Sequence, residues 1–386
     1  MRPLEGISVV ELGMWVAAPA AATMLADWGA DVVKVEAPTG DPNRYTLKHV
    51  GQNIEGDSEP PFETDNRGKR GIVLDLRSED GKDVLERLLK RADVFVTNLR
   101  PGALERLGLA PDELRARHPR LVVGTLTGYG WTGEERDRAG YDVSAFWARP
   151  GIAAMLNPAG EPPPGIRPGL GDRTAASNLV AGVLAALLRR ERTGEGGVVD
   201  VSLLRSGTYA NGNDLALQNF FGKRGRTRHR TEHESPLYNS YRAADDRWFW
   251  LVGLEGNRHW PGVIKALGRP DLETDERFAT GKARRGHVRE LIAEFDEEFA
   301  RRPLAEWAAR FDAEGVWWAP VQTLAEVSAD PQAEAVGAFV EQPGMGGASP
   351  LRTVATPVSF WGVDDKPRTG APTLGEHTDD VLRELN

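Results

Sequence analysis

In the first third of the chain, short apolar runs alternate with longer segments whose apolar positions recur every three to four residues. Residues 6–12 (GISVVEL) and 31–36 (DVVKVE) read as strands, and the alanine-rich stretch 17–28 between them reads as a helix. That spacing implies neighbouring parallel strands joined by a right-handed crossover. The pattern repeats downstream. Residues 71–76 form the next strand, and Ser78 caps a helix that places Val84, Leu85, Leu88 and Leu89 on one face. Strands are expected at 93–98 and 121–127, with a short helix near 112–117 before the latter.

The longest helical signal runs over 172–192. Leu179, Val180, Val183, Leu184, Leu187 and Leu188 make a broad apolar stripe, and Gly194 stands where a left-handed C-terminal cap belongs. A strand over 198–204 follows. The pattern changes near residue 222: a hairpin turning at Asp245-Asp246 is followed by helices over 260–267, 288–301 and 304–314. The fold class is therefore α/β, a doubly wound parallel sheet in a large domain over 1–215 completed by 331–386. A smaller α+β domain occupies 216–330.

Composition narrows the function. Eleven Trp and 40% hydrophobic residues argue for a buried core, and the absence of cysteine removes disulfides, thiolate metal sites and cysteine nucleophiles. A net charge of −9 argues against sequence-independent nucleic-acid binding. The basic stretch 223–230 reads as a solvated linker or as a patch for an anion. His229 within it and His233 just beyond lack further ligands for a metal. The longest apolar run, 179–188, falls short of the roughly 20 residues that span a bilayer. The chain opens on a strand without a basic-then-apolar leader, so a soluble, cytoplasmic protein with no membrane partner is expected.

Four places carry candidate chemistry. Asp172 opens the long helix, where free N–H groups and the helix dipole would keep a carboxylate ionised. The residue type fits a helix cap and a nucleophile equally, and position alone leaves both open. The turn 12–19 after the first strand lacks the G-x-G-x-x-G of dinucleotide enzymes, so no nicotinamide or flavin is expected, yet its small residues admit a ligand at a helix N-terminus. Asn98, Arg100 and Arg106 follow a strand's carboxyl end, where open α/β sheets bind ligands and arginine meets phosphate. Asp142, in Gly140-Tyr141-Asp142, is a second carboxylate that the fold could bring to Asp172.

Taken in order, these segments resemble the class III coenzyme A transferases, the CaiB/BaiF or formyl-CoA transferase family. The resemblance rests on residues 3–7 through 31–36, Asn66-Arg67-Gly68-Lys69-Arg70, and 93–102. It continues through Gly171-Asp172 with Gly182 and 192–196, and ends at Leu374-Gly375-Glu376-His377-Thr378. It implies a Rossmann-like CoA-binding domain and two ring-like subunits threaded through each other as a homodimer. It further implies an acyl-CoA donor, a small carboxylic acid acceptor, coenzyme A as carrier, and no metal. Asp172 would be the nucleophile, with Tyr141 and Asp142 beside it. Val16, Ala17, Asn98, Arg100 and Arg106 would contact CoA, with Arg44 and Lys69 toward its nucleotide end.

Departures bear on the substrate. The formyl/oxalate enzymes have a glycine-rich loop over the site, and none is found here; Trp248, Trp250, Trp317 and Trp318 occupy that region. Asp142 stands for their glutamate. The racemases of the family carry a histidine where this chain has Tyr141. A racemase, isomerase or dehydratase acting on CoA thioesters, and a non-catalytic CoA-binding protein, are the alternatives to transfer.

Overall fold

A computed structural model describes all residues except 50, 52–57, 223–226 and 365. The chain divides into two compact units. The larger comprises residues 1–153, 165–224 and 332–386, and the smaller comprises 154–164 and 225–331. The division expected at 215/216 thus falls at 224/225, because the helix Gly212–Phe221 continues directly from Leu203–Ala210 in the larger unit. Residues 154–164 join the smaller one, where Thr227 bonds the Met155 and Ala159 backbones.

Six strands form one parallel sheet in the larger unit: β1 (Ser8–Leu12), β2 (Asp31–Glu36), β3 (Arg70–Val73), β4 (Val94–Thr97), β5 (Val122–Thr127) and β6 (Gly197–Ser202). Their order across the sheet is 3-2-1-4-5-6. Every pairing is parallel, with Val9 facing Val32 on one side and Val94 on the other. Chain direction across the sheet reverses at β1/β4, and ligands of such sheets bind beyond the strand ends at that point. Strands covered on both faces become continuous apolar runs, as β4 and β5 show by burying every residue.

Between β1 and β2 the helix Ala17–Asp27 buries all eleven of its residues, which is why its sequence carries no polar face. It packs on the helix Leu170–Thr193, whose Ala175, Ala176, Leu179, Val180 and Val183 lie against it and the sheet. Burying each Leu or Val there contributes about 1.5–3 kcal/mol. Ser78 caps the helix Glu79–Arg91 through the Gly81 N–H at 3.1 Å, and Gly194 ends the long helix with φ 77°.

The smaller unit pairs β7 (Tyr238–Arg242), β8 (Trp248–Val252) and β9 (Trp318–Pro320) in an antiparallel sheet. Beneath it the helices Gly256–Leu267, Val288–Phe299 and Leu304–Ala313 enclose an aromatic core around Phe249, Phe299 and Trp307. The first four residues of the basic stretch lie outside the described residues. Of the rest, Arg228 pairs with Glu234, and Arg230 is held by Asp296 at 2.6 Å over the Tyr241 ring. No described helix is long and apolar enough to cross a membrane. In the larger unit the chain closes with a hairpin of β10 (Phe339–Gln342) and β11 (Leu351–Val354) and the terminal helix Thr378–Leu385.

Candidate active site

At the carboxyl ends of β1 and β4 the sheet opens a cleft of about 290 Å³. Its lining includes Val16 and Ala17 from the first turn, Asn98 and Arg100 after β4, Tyr141, and Asp172 from the long helix. Six of the ten residues singled out in the sequence therefore share one wall. Arg106 ends the short helix Pro101–Arg106, exposed and outside the lining.

Three of the remaining expectations change. Arg44 is buried, donates to both Glu36 oxygens at 2.6 and 2.8 Å, and stacks on Phe62. Lys69 is fully buried against Glu11 at 2.7 Å, the Pro19 and Asp65 carbonyls, and Asn66. Both charges are spent inside the protein, so neither reaches a nucleotide. Asp142 does not line the cleft either. Only 1% exposed, it accepts the Gly169 N–H at 2.5 Å, at the head of the Asp172 helix. Burial raises its pKa, against the pull of the amides of 169–171.

That contact corrects the electrostatics expected for Asp172. The helix begins at Leu170, after Gly169 at φ 108°, and Asp172 is its third residue. The free amides of the first turn serve Asp142, and the Asp172 carboxylate has no hydrogen-bond partner among the described residues. Half-buried, and with Asp142 and Asp65 nearby, its carboxyl is pushed up to about 7 by desolvation first and by those two negative charges next. Arg173 opposes this weakly because it is paired with Asp65 at 2.8 Å. The contact also explains Gly171: a Cβ there would lie 2.1 Å from the Asp142 oxygen and 2.3 Å from Phe146. Phe146 sits in the π-helical turn Val143–Ala148, a form common at functional sites.

The turn that carries Val16 is unusually fixed. Asn98 accepts the Met14 N–H at 3.0 Å and returns its amide to the Met14 carbonyl at 2.7 Å. Trp15 takes a left-handed φ of 65°, and its N–H is held by Asp41 at 2.9 Å. Sequence reasoning missed Met14, Trp15, Arg138 and Leu203, which also line the cleft. It further missed a neighbouring cleft of about 400 Å³, where Pro38, Thr39, Asp75 and Arg77 lie beyond β2 and β3. Met14 and Leu99 line both. The strand-end rule applied to β1 and β4 holds equally for β2 and β3, and would have found it.

Comparison with known proteins adds to this geometry. The chain is 33% identical to (R)-2-hydroxy-4-methylpentanoate CoA-transferase of Clostridioides difficile, over 99% of this chain and 95% of that protein. It is also 33% identical to cinnamoyl-CoA:phenyllactate CoA-transferase of Clostridium sporogenes, over 99% and 93%. The crystal structure of a CaiB/BaiF family protein from Brucella suis superposes with a TM-score of 0.88 at 32% identity, each chain covered completely. The model of CoA-transferase family III matches residues 4–378. A parallel sheet open at its switch point, an acid on the helix beside it and full-length likeness to transferases agree, and the chain is an enzyme of CoA-transferase family III.

Proposed function

We propose that the protein transfers coenzyme A from an acyl-CoA donor to a carboxylic acid acceptor, with Asp172 as covalent nucleophile. The observation that carries this is an unpartnered, half-buried carboxylate in the wall of a cleft at the switch point of the sheet. Asp172 attacks the thioester carbonyl and the C–S bond breaks, leaving an aspartyl acyl anhydride and CoA thiolate. The thiolate then attacks the aspartyl carbonyl, releasing the donor's carboxylate and leaving an aspartyl-CoA thioester. The acceptor carboxylate attacks this thioester, and the returning thiolate takes the acyl group of the new anhydride, regenerating Asp172. No proton is consumed, and one activated bond is conserved at each stage.

An ionised nucleophile free of hydrogen bonds is more reactive than a capped one. Val16 and Ala17 present a helix N-terminus to the thioester region, and Asn98 and Arg100 offer donors to the pantetheine and phosphates. The neighbouring cleft, continuous through Met14 and Leu99, is apolar enough for an adenine. The lining holds no histidine for α-proton abstraction, so transfer is favoured over racemisation.

Acyl-CoA plus hydroxylamine should give a hydroxamate at Asp172 by peptide mass spectrometry. Asp172→Ala should abolish it and lower transfer by about 10⁴-fold or more, with CoA binding kept. An alanine variant that still transfers CoA ends the assignment. A homodimer is also proposed: the helix Gly212–Phe221 buries none of its residues and exposes Leu217, Phe220 and Phe221, which a second copy would cover. Light scattering at twice the chain mass supports it. The lack of cysteine fits a reducing cytoplasmic setting.

A further inference from the structure

We infer that Trp15 and Tyr141 form the wall that holds the acyl group, and that the acyl groups accepted are apolar monocarboxylic ones, branched or aryl. This rests on the transferase reading and names the substrate class of the same cleft. A tryptophan at φ 65° is a backbone outlier costing about 1–3 kcal/mol, and such strain persists only where the surroundings impose it. They do so here from every side. Asp41 holds the Trp15 N–H, the Asn43 amide reaches the Trp15 carbonyl at 3.3 Å, and Asn98 pins Met14. Asp41 is itself fixed by Lys34 at 3.0 Å and by its own N–H on Glu36 at 2.8 Å. Glycine would occupy this position without strain. The fold tolerates a tryptophan, so the ring is what the site uses.

The ring meets Tyr141 edge-on, with centroids 6.2 Å apart and planes at 87°. Tyr141 immediately precedes Asp142, which is bonded to the head of the Asp172 helix, so the aromatic pair stands at the nucleophile's end of the cleft. Val16, Leu126 and Leu203 continue the apolar lining. Of the nearby cations, Arg138 pairs with Glu135 and Arg173 with Asp65, while Arg100, which also donates to the Asp137 carbonyl, is assigned to the CoA phosphates. Asp142, buried near Asp172, repels a further negative charge. A dicarboxylic acyl chain is therefore disfavoured twice, by an apolar wall and by the local field.

The test is kcat/KM for 3-phenylpropionyl-CoA, acetyl-CoA and succinyl-CoA, each with propionate as acceptor. The wild type should favour 3-phenylpropionyl-CoA over either of the others by at least about tenfold. Trp15→Ala should cut the phenylpropionyl-to-acetyl ratio about tenfold, and Trp15→Phe should restore most of it. Tyr141→Ala, at a residue 66% exposed and so harmless to the fold, should move the ratio in the same direction. A preference for succinyl-CoA, or equal losses on all donors in both alanine variants, overturns the wall while leaving transfer standing. No transfer from any donor overturns both readings.

Discussion

Two acids of the larger unit, Glu11 and the half-buried Asp172, meet opposite fates. Glu11, on β1, is fully buried, yet Lys34 at 3.0 Å and Lys69 at 2.7 Å outweigh the desolvation and hold its pKa below the ordinary value. Asp172 is less buried but has two acids for neighbours and one distracted arginine, and its carboxyl rises to about 7. Desolvation raises both carboxyls; two lysines reverse it at Glu11, and two further acids add to it at Asp172. In the first region each acid has a buried cation within 3.0 Å, although desolvation still lowers the Lys69 pKa to about 8. In the second a single carboxylate is left reactive.

The comparison is broken most severely by removing the satisfied acid. Glu11→Gln keeps the shape but leaves Lys34 with one carboxylate and Lys69 with none, at a cost of about 3–5 kcal/mol in urea denaturation. Because Lys34 also donates to the Gly13 carbonyl and to Asp41, the Trp15 turn should loosen with it. A loss under about 1 kcal/mol would show that the cluster is not a stabilising unit.

Removing the reactive acid should do the reverse. A carboxyl at about 7 in the folded chain and 3.8 in the unfolded one is protonated in both below pH 4, so it contributes nothing there. Between pH 4 and 7 the unfolded state ionises first and stability falls, and above 7 the full cost is present. Asp172→Asn escapes that cost. It should gain on the order of 1–3 kcal/mol at pH 8 and nothing at pH 4, while losing transfer. Equal stability of the two proteins at pH 8 would refute the raised pKa.

Activity should follow the same titration. With the carboxylate as nucleophile, kcat/KM falls tenfold per pH unit below about 7 and is level above it. Asp142→Asn still accepts the Gly169 N–H but removes a negative neighbour, so the midpoint should move to lower pH. An unmoved midpoint would reduce Asp142 to a purely structural role.

Much of this was legible in the sequence because periodicity reports burial. Strands β1 to β6, the alanine-rich first helix and the stripe of the long helix follow from which positions must leave water. Asp172 and Asn98 were singled out by their places at a helix start and a strand end and Tyr141 by motif order, and the three line one cleft. The charge cluster was not legible: nothing local distinguishes Lys69, spent on Glu11 and three oxygens, from a lysine reaching for phosphate. Nor was the protonation of Asp172, since its dominant neighbours, Asp142 and Asp65, come from distant segments. Trp15 was read among small residues of a turn, and its positive φ depends on Asp41, which only the fold brings beneath it.

The smallest effect tests whether that turn has two unequal straps. Asp41 holds it from the buried side at 3% exposure, whereas Asn98 holds Met14 from the solvent side. Hydrogen bonds open to water contribute about 0.5–1.5 kcal/mol, so Asn98→Ala should cost about 1 kcal/mol in urea denaturation, well short of Glu11→Gln. Its kinetic signature should be selective. Loosening the turn moves Val16 and Ala17, so KM for acyl-CoA should rise about tenfold while kcat falls by less. Asn98→Asp keeps the Met14 N–H bond but loses the donor and sets a negative charge beside an anionic substrate, so its KM should rise further. If the aspartate variant binds acyl-CoA as well as the alanine variant does, the CoA phosphates do not pass this side of the cleft. Asn98 would then be a strap alone.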